Sequence, residues 1–123
     1  WEKEICTAYG PAADGVIEME AKAQKNETSA RLARIDTMEA HWNEIRTLLS
    51  ELPSSEKISG VLHTLGSPCT PAEIGVDAQL LKRTFLYCKE VRARYTILQM
   101  VWDLDLLDQL SDEVIAELDR NKE

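Results

Sequence analysis

Apolar residues recur at intervals of three and four along most of this chain, which is the spacing of one face of an α-helix. The longest such run begins after Asn26, a good N-cap residue, and ends at Pro53. It predicts one long amphipathic helix or two nearly collinear helices. Its apolar positions are Leu32, Ile35, Met38, Trp42, Ile45, Leu49 and Leu52.

Shorter helices are predicted on both sides of this run. Residues 1–9 and 14–25 precede it, separated by the breaker Gly10–Pro11, and residues 55–65 follow it. The segment TPAE at 70–73 has the spacing of a capping box and opens a short turn of helix.

The last third of the chain continues the helical pattern. Asp77 is expected to cap a helix over 78–94, which contains no breaker. The segment TILQ has capping-box spacing and opens a helix over 97–110, and Ser111 is expected to cap a last one.

The pattern as a whole indicates an all-α fold. Glycine and proline are scarce, with five and four residues, and the alternation typical of strands is absent. A length of 123 residues suits one domain. We therefore expect a single helical bundle of about six helices over residues 1–123, with short connections.

Composition restricts the partners and the location of the chain. With 22 acidic and 14 basic residues the net charge is −8, which argues against binding nucleic acid. No apolar run approaches the roughly 18 residues of a membrane span, so no membrane insertion is expected. Cys6, Cys69 and Cys88 lack CxxC spacing and are interpreted as reduced thiols of a cytoplasmic protein, with a single disulfide as the alternative. The first residue is Trp1, and we expect an excised piece of a longer protein.

The pattern offers little catalytic chemistry. A nucleophile paired with a base, clustered metal ligands and a glycine-rich phosphate loop are all missing from the sequence. His41 is interpreted as a packed or hydrogen-bonded core residue, and His63 as structural too. The acidic run DLDLLDQLSDE lacks EF-hand spacing and is interpreted as a solvated helical face. No catalytic or metal-ligating residue is assigned.

Two apolar stripes are predicted on the helix over 97–110. Leu98, Trp102 and Leu106 form one of them at steps of four, apart from a second stripe that contains Met100. A helix that is apolar on two sides must be covered on two sides. Either neighbouring helices cover both stripes, or Leu98, Trp102 and Leu106 form an interface with a missing domain or a second subunit.

Arg92 occupies an unusual position in the pattern. On a continuous helix it falls in the middle of an apolar stripe with Phe85, Cys88 and Tyr95. A guanidinium keeps its proton, so burial requires an anionic or carbonyl partner. Two explanations stay open. In the first, the explanation is internal to the chain: a carboxylate of Asp103, Asp105 or Glu39 neutralises Arg92, or the side chain extends to solvent. In the second, Arg92 binds an external anion such as phosphate.

Two segments of the sequence carry a family resemblance. HWNEIRTLLSELP and PAEIGVDAQLLKRTFLYCKEVRARYTILQMVWDLDLL resemble the C-terminal portion of sn-glycerol-1-phosphate dehydrogenases, which belong to the iron-containing alcohol dehydrogenase and dehydroquinate synthase superfamily. The similarity extends over residues 38–110. Its best marks are EIGVD at 73–77 and RARYTIL at 92–98, close to the family's R-D-R-Y-T. Ala93 stands where the family usually has Asp.

The resemblance implies a two-domain enzyme of which this chain is a part. An N-terminal nucleotide-binding domain, absent here, would be the partner of the all-helical domain. The helical domain of the family supplies an aspartate and two histidines to a divalent metal, Zn or, in relatives, Ni or Fe. Those ligands lie upstream of the matched region, and neither His41 nor His63 corresponds to them. The chain alone is therefore expected to hold no cofactor and no complete active site.

The implied activity belongs to the full-length protein. It would reduce dihydroxyacetone phosphate to sn-glycerol 1-phosphate with NAD(P)H, a reaction of phospholipid biosynthesis, while the metal polarises the carbonyl group. The phosphorylated substrate gives Arg92 a purpose, because the RARY segment is expected to fold back toward the active cleft. A homo-oligomer is a further expectation. The alternative is a stand-alone helical interaction module that has lost the chemistry and docks a partner through Leu98, Trp102 and Leu106.

Overall fold

The computed structural model describes residues 1–120, and every regular element in that range is helical. The all-α prediction is therefore confirmed. The α-helices are α1 (Glu2–Tyr9), α2 (Ala13–Ala23), α3 (Thr28–Ala40), α4 (Trp42–Ser50), α5 (Ser55–Thr64), α6 (Ala78–Tyr87), α7 (Ile97–Asp103) and α8 (Leu107–Arg120). Short 3-10 helices are formed by Gly10–Ala12, Pro71–Ile74 and Cys88–Val91.

The apolar core lies between the first two helices. Ile5 of α1 and Ala13 and Val16 of α2 are buried together, and Tyr9 and Tyr87 pack against them. The Tyr9 hydroxyl donates a hydrogen bond of 2.7 Å to the backbone carbonyl of Tyr87, which ties α1 to the end of α6. Helix α6 packs in turn against α8.

The long apolar run forms two helices and not one. His41 separates α3 from α4 with φ −116° and ψ 20°, outside the helical region. Helix α4 contacts α3, whereas α5 makes almost no contact with any other helix in the part of the chain that the structure describes. Large apolar side chains on both helices and just after their ends therefore remain exposed. We call them the α4–α5 apolar surface, which consists of Trp42, Leu48, Leu49, Leu52, Ile58, Val61 and Leu65.

The predicted helix over 78–94 ends early. Helix α6 stops at Tyr87, the 3-10 turn follows, and Arg92 is already extended with φ −145° and ψ 150°. Within this 3-10 turn the side chains of Lys89 and Glu90 face inward and form ion pairs, and these contacts favour the turn over a further turn of α-helix. The extended segment reaches Thr96, whose hydroxyl caps α7 as predicted.

The predicted helix over 97–110 is likewise interrupted. Helix α7 ends at Asp103, and Asp105 adopts a left-handed conformation with φ 59°. Ser111 lies inside α8 and donates its hydroxyl hydrogen to the Leu107 carbonyl, so its predicted role as a cap is wrong.

The predicted cap at Asp77 is confirmed, since Asp77 accepts from the Leu80 N–H at 2.7 Å. The predicted N-cap at Asn26 is wrong, because α3 begins at Thr28 with Glu27 as its N-cap and the Asn26 side chain binds Glu90 instead.

The sulfur atoms of Cys6, Cys69 and Cys88 are all free thiols, as the sequence predicted. Within residues 1–120 there is no helix with the length and apolar composition needed to cross a bilayer.

Candidate functional site

Arg92 does not occupy the buried position that the helical pattern predicted. The residue is exposed, on the extended segment between the 3-10 turn and α7. The other members of the supposed stripe are not aligned with it, since Cys88 is exposed and Tyr95 exposes 51% of its surface. The prediction assumed a continuous helix, and that helix ends before Arg92. The question of an internal partner for a buried Arg92 therefore does not arise.

The side chains that turn inward are those just before Arg92. Lys89 exposes 5% of its surface and Glu90 exposes 2%. The two form an ion pair with each other, and the Lys25 ammonium lies 3.1 Å from the other oxygen of Glu90. Asn26 donates to both oxygens of Glu90, at 3.2 and 3.0 Å. Both oxygens of the Glu90 carboxylate thus accept hydrogen bonds from residues of the turn between α2 and α3.

The environment of Glu90 changes its acidity. Burial alone raises the pKa of a carboxyl group, but the hydrogen bond and charge of Lys89, with Asn26 and Lys25, outweigh burial and bring the pKa of Glu90 below its ordinary value. Burial lowers the pKa of the Lys89 ammonium, and Glu90 only partly offsets this effect. Glu90 is therefore ionised at neutral pH and already saturated with donors.

A second buried carboxylate, Asp103, lies at the end of α7. Its exposed fraction is 0%, although the sequence interpreted its acidic run as solvated. Arg34 donates from Nε to Oδ2 and from Nη2 to Oδ1, both at 2.7 Å, in the two-pronged geometry of guanidinium and carboxylate. The Tyr95 hydroxyl donates to Oδ2 at 3.1 Å. Arg31 donates from Nε to the Asp103 backbone carbonyl at 2.8 Å.

These contacts shift three pKa values. Burial raises the pKa of Asp103, but the hydrogen bonds and charge of Arg34, with smaller effects of Gln99 and Tyr95, outweigh burial. The pKa of Asp103 therefore lies below its ordinary value. The hydrogen bond to Asp103 raises the pKa of Arg34. Burial, with the hydrogen bond and charge of Asp103, raises the pKa of Tyr95 to about 12. Asp103 and Arg34 are thus both charged, and Tyr95 is neutral, over the physiological range.

Gln99 connects the two buried carboxylates. It exposes 1% of its surface, and its Nε2 lies 3.4 Å from Oδ1 of Asp103 and 3.5 Å from Oδ1 of Asn26. The α2–α3 turn, α3, the 3-10 turn and α7 are therefore joined by one polar network. We call it the Glu90–Asp103 network, and it consists of Lys25, Asn26, Arg34, Lys89, Glu90, Tyr95, Gln99 and Asp103.

Trp102 is part of this arrangement and not of a free apolar stripe. The Lys89 Nζ lies 4.3 Å from the centroid of the indole ring, and the Arg31 guanidinium lies 5.2 Å from it. Leu98 is half-buried, and Leu106 lies beyond the end of α7. Leu98, Trp102 and Leu106 therefore do not share one helical face. Their role as an interface remains a prediction.

The two histidines are not core residues. His41 is exposed, with Nδ1 3.4 Å from the Glu44 carboxylate, so the prediction of a core histidine is wrong. His63 is also exposed, and its Nδ1 lies 3.5 Å from the Cys69 sulfur. His41 lies between α3 and α4, and His63 lies on α5, which makes almost no contact with any other helix among residues 1–120. Within residues 1–120 no group of three or more His, Cys, Asp or Glu is arranged to hold a metal ion.

The exposed arginines lie beside an open groove. Its volume is about 470 Å³, and it is lined by Cys88, Lys89, Val91, Arg92, Arg94 and Thr96. None of the lining residues is acidic. The Lys25 ammonium donates to the Arg92 carbonyl at 3.4 Å, which connects this segment to the buried network. The groove presents two guanidinium groups to solvent and is suited to an anion.

Sequence reasoning missed most of this network. It named Asp103 as a partner for Arg92, but the actual partner is Arg34, which lies off the apolar seam of its helix. Lys89 and Glu90 were not selected, because adjacent opposite charges are common on exposed helices. The one sequence feature that pointed to this network was the RARYT segment at 92–96, because its tyrosine, Tyr95, donates a hydrogen bond to Asp103.

Comparison with known proteins gives one significant similarity. The chain is 32% identical over 82 residues to the glycerol-1-phosphate dehydrogenase [NAD(P)+] of Geobacillus stearothermophilus. The aligned region covers 66% of this chain and 20% of that protein, so the chain spans about a fifth of its relative's length. No family model and no solved structure matches the chain.

Proposed function

We propose that this chain is the C-terminal helical portion of a glycerol-1-phosphate dehydrogenase-like oxidoreductase. The observation that carries the proposal is the 32% identity over 82 residues to such an enzyme. The whole protein would reduce dihydroxyacetone phosphate to sn-glycerol 1-phosphate with NAD(P)H. The order of EIGVD and RARYTIL, separated by a helix as the family pattern requires, supports the same assignment.

The contribution of this portion would be recognition of the substrate's phosphate. Arg92 and Arg94 line a groove that has no acidic residue in its wall. A guanidinium matches the geometry of phosphate oxygens and stays charged at any physiological pH. The Glu90–Asp103 network would position the segment, because it holds the residues on both sides, Glu90 and Tyr95, by hydrogen bonds.

The metal and the nicotinamide cofactor would be held by residues outside this chain. The donor set here does not suit a divalent cation, because Glu90 and Asp103 already accept hydrogen bonds from Lys89 and Arg34. A metal would have to displace those cations at the cost of burying them unpaired.

The test uses the complete reading frame that encodes the chain. Its product should reduce dihydroxyacetone phosphate with NADH or NADPH, and the absence of this activity would overturn the proposal. In that protein Arg92→Ala should raise the KM for dihydroxyacetone phosphate by about tenfold to a hundredfold, the value of a charge-assisted hydrogen bond. Lys22→Ala is the control, since Lys22 is exposed and pairs only with Glu18.

A non-phosphorylated substrate separates binding of phosphate from a structural role. Dihydroxyacetone lacks the group that Arg92 would bind, so its kcat/KM should change little in Arg92→Ala. Equal losses on both substrates would show that Arg92 only supports the fold. Arg94→Ala should behave like Arg92→Ala, because both guanidinium groups line the same groove.

A helical interaction module without catalysis is the second candidate. The α4–α5 apolar surface favours it, because seven large apolar side chains are exposed within the short segment 42–65 and large exposed apolar patches usually mark an interface. A reading frame without nucleotide-binding and metal-binding segments would support this candidate over the enzyme.

A further inference from the structure

Cys69 and His63 form a pair of a nucleophile and a base just after α5. The Cys69 Sγ lies 3.5 Å from Nδ1 of His63, which is within hydrogen-bond reach for a sulfur atom. His63 lies in the last turn of α5, and Cys69 belongs to the segment that follows the helix. Neither residue lines the arginine groove. Because the helix ends between the two residues, their spacing of six positions along the sequence did not predict the pair.

Two backbone carbonyls hold the sulfur beside the imidazole. The Cys69 Sγ lies 3.5 Å from the Ser67 carbonyl oxygen and 3.7 Å from the Ser59 carbonyl oxygen. A thiol has one hydrogen, so it donates to only one of its three acceptors at a time. The carbonyls accept a hydrogen bond but cannot take up the proton, whereas the unprotonated nitrogen of a neutral imidazole can. Of these three contacts, only His63 can therefore convert the thiol into a thiolate.

Glu73 supplies a negative charge close to the same imidazole. The N–H groups of Cys69 and Thr70 donate to its Oε2, both at 2.7 Å. These hydrogen bonds hold the pKa of Glu73 below its ordinary value, and a positive charge on His63 acts in the same direction. Glu73 is therefore ionised at neutral pH, and its carboxylate stabilises the positive charge that His63 acquires when it takes the thiol proton.

We propose that Cys69 is a site of reversible modification by a low-molecular-weight disulfide, with His63 as the base that accepts the thiol proton. The Cys69 sulfur attacks one sulfur of the reagent while its proton passes to Nδ1 of His63. The S–S bond of the reagent breaks, an S–S bond to Cys69 forms, and the departing thiolate takes the proton from His63. The reagent is itself the oxidant, since half of it leaves as a free thiol. This site does not depend on the oxidoreductase assignment.

The other two cysteines are internal controls. Cys6 and Cys88 are exposed, whereas Cys69 is half-buried. Within residues 1–120 the imidazole groups contact Cys69 and Glu44, and neither Cys6 nor Cys88 has one as a hydrogen-bond partner. Accessibility alone therefore predicts that Cys69 reacts most slowly of the three, whereas assistance by His63 predicts that it reacts fastest.

The experiment measures how fast each cysteine of the 123-residue chain forms a mixed disulfide with hydroxyethyl disulfide at neutral pH, by mass spectrometry of its peptides. This reagent is uncharged, so the guanidinium groups of the arginine groove do not concentrate it at Cys88. A free cysteine is only a few per cent thiolate at neutral pH, so proton transfer to His63 should make Cys69 about tenfold faster than Cys6. A Cys69 rate equal to or below that of Cys6 would overturn the proposal.

Substitution of the histidine separates assistance by a base from accessibility. His63→Gln keeps a polar side chain at this exposed position but cannot take up a proton at neutral pH. Cys69 should then react about as fast as Cys6, whose own rate should not change. His41→Gln is the matched control, because His41 is also exposed and its imidazole lies beside Glu44. An unchanged Cys69 rate in His63→Gln, or equal losses in the two variants, would exclude His63 as the base.

Discussion

Arg34 holds the carboxylate of Asp103 through two hydrogen bonds of 2.7 Å, between residues 69 positions apart in sequence. The pair joins α3 to α7 in a molecule that has few buried apolar side chains. Ionic and hydrogen-bonded contacts therefore carry much of the tertiary organisation on this side of the chain. They also determine the direction of the extended segment that carries Arg92.

Removing Arg34 should destabilise the protein strongly. Arg34→Ala leaves the fully buried carboxylate of Asp103 without its cation, which costs about 3–5 kcal/mol. Arg34→Lys retains the charge but loses the two-pronged contact, so its loss should be smaller. Unfolding by urea measures both values. A loss below about 1 kcal/mol for Arg34→Ala, typical of a surface ion pair, would contradict this interpretation.

Stability should fall in acid because of the two buried carboxylates. The pKa values of Asp103 and Glu90 in the folded state lie below their ordinary values of 3.8 and 4.5. Their contribution is thus complete above the ordinary values and is lost as the pH falls through the lower folded values. The free energy of unfolding should be measured between about pH 3 and pH 7. Asp103→Asn should be less stable at neutral pH and should show a shallower decline, and an unchanged slope would contradict the assignment.

Tyr95 should contribute to a loss of stability in alkali. The pKa of Tyr95 is raised from 10.0 to about 12, so the unfolded chain releases this proton first as the pH rises. The free energy of unfolding therefore decreases between those two values. Tyr95→Phe should cost about 1 kcal/mol at neutral pH through the lost hydrogen bond to Asp103, and should decline less in alkali. Parallel pH curves for the two proteins would show that Tyr95 is not responsible.

Asp77 should stabilise α6 as its N-cap. Its Oδ1 accepts from the Leu80 N–H at 2.7 Å, so Asp77→Ala leaves that donor without its partner. The expected cost is about 1 kcal/mol, measured by thermal or urea unfolding. Asp77→Asn retains a capping oxygen and should lose only a few tenths of a kcal/mol. Similar losses in both variants would indicate that the charge of Asp77 matters and not the cap.

Local signals in the sequence predicted much of the fold. The all-α class follows from the helical spacing, and Asp77 and Thr96 cap helices where expected. Glu73 also reaches back, since its Oε2 accepts from the Thr70 N–H at 2.7 Å. These contacts connect residues a few positions apart, so a single segment determines them.

The errors arose where distant contacts override local preference. The segment after Tyr87 has no breaker, yet the pairing of Glu90 with Lys25 and Asn26 turns it away from the helix. Helical periodicity placed Arg92 inward only because it assumed that α6 continued. Asn26 lies 64 positions before Glu90 in the sequence. The pattern of residues within 78–96 carries no information about so distant a partner.

The Glu90–Asp103 network uses cations in the interior of an acidic molecule. Lys25, Lys89 and Arg34 each neutralise a carboxylate there, whereas Arg92 and Arg94 make no ion pair within residues 1–120. These two arginines therefore place two uncompensated positive charges beside one groove of a chain whose net charge is −8. An anion that reaches this groove would be attracted by both charges, and the attraction would weaken as salt screens them.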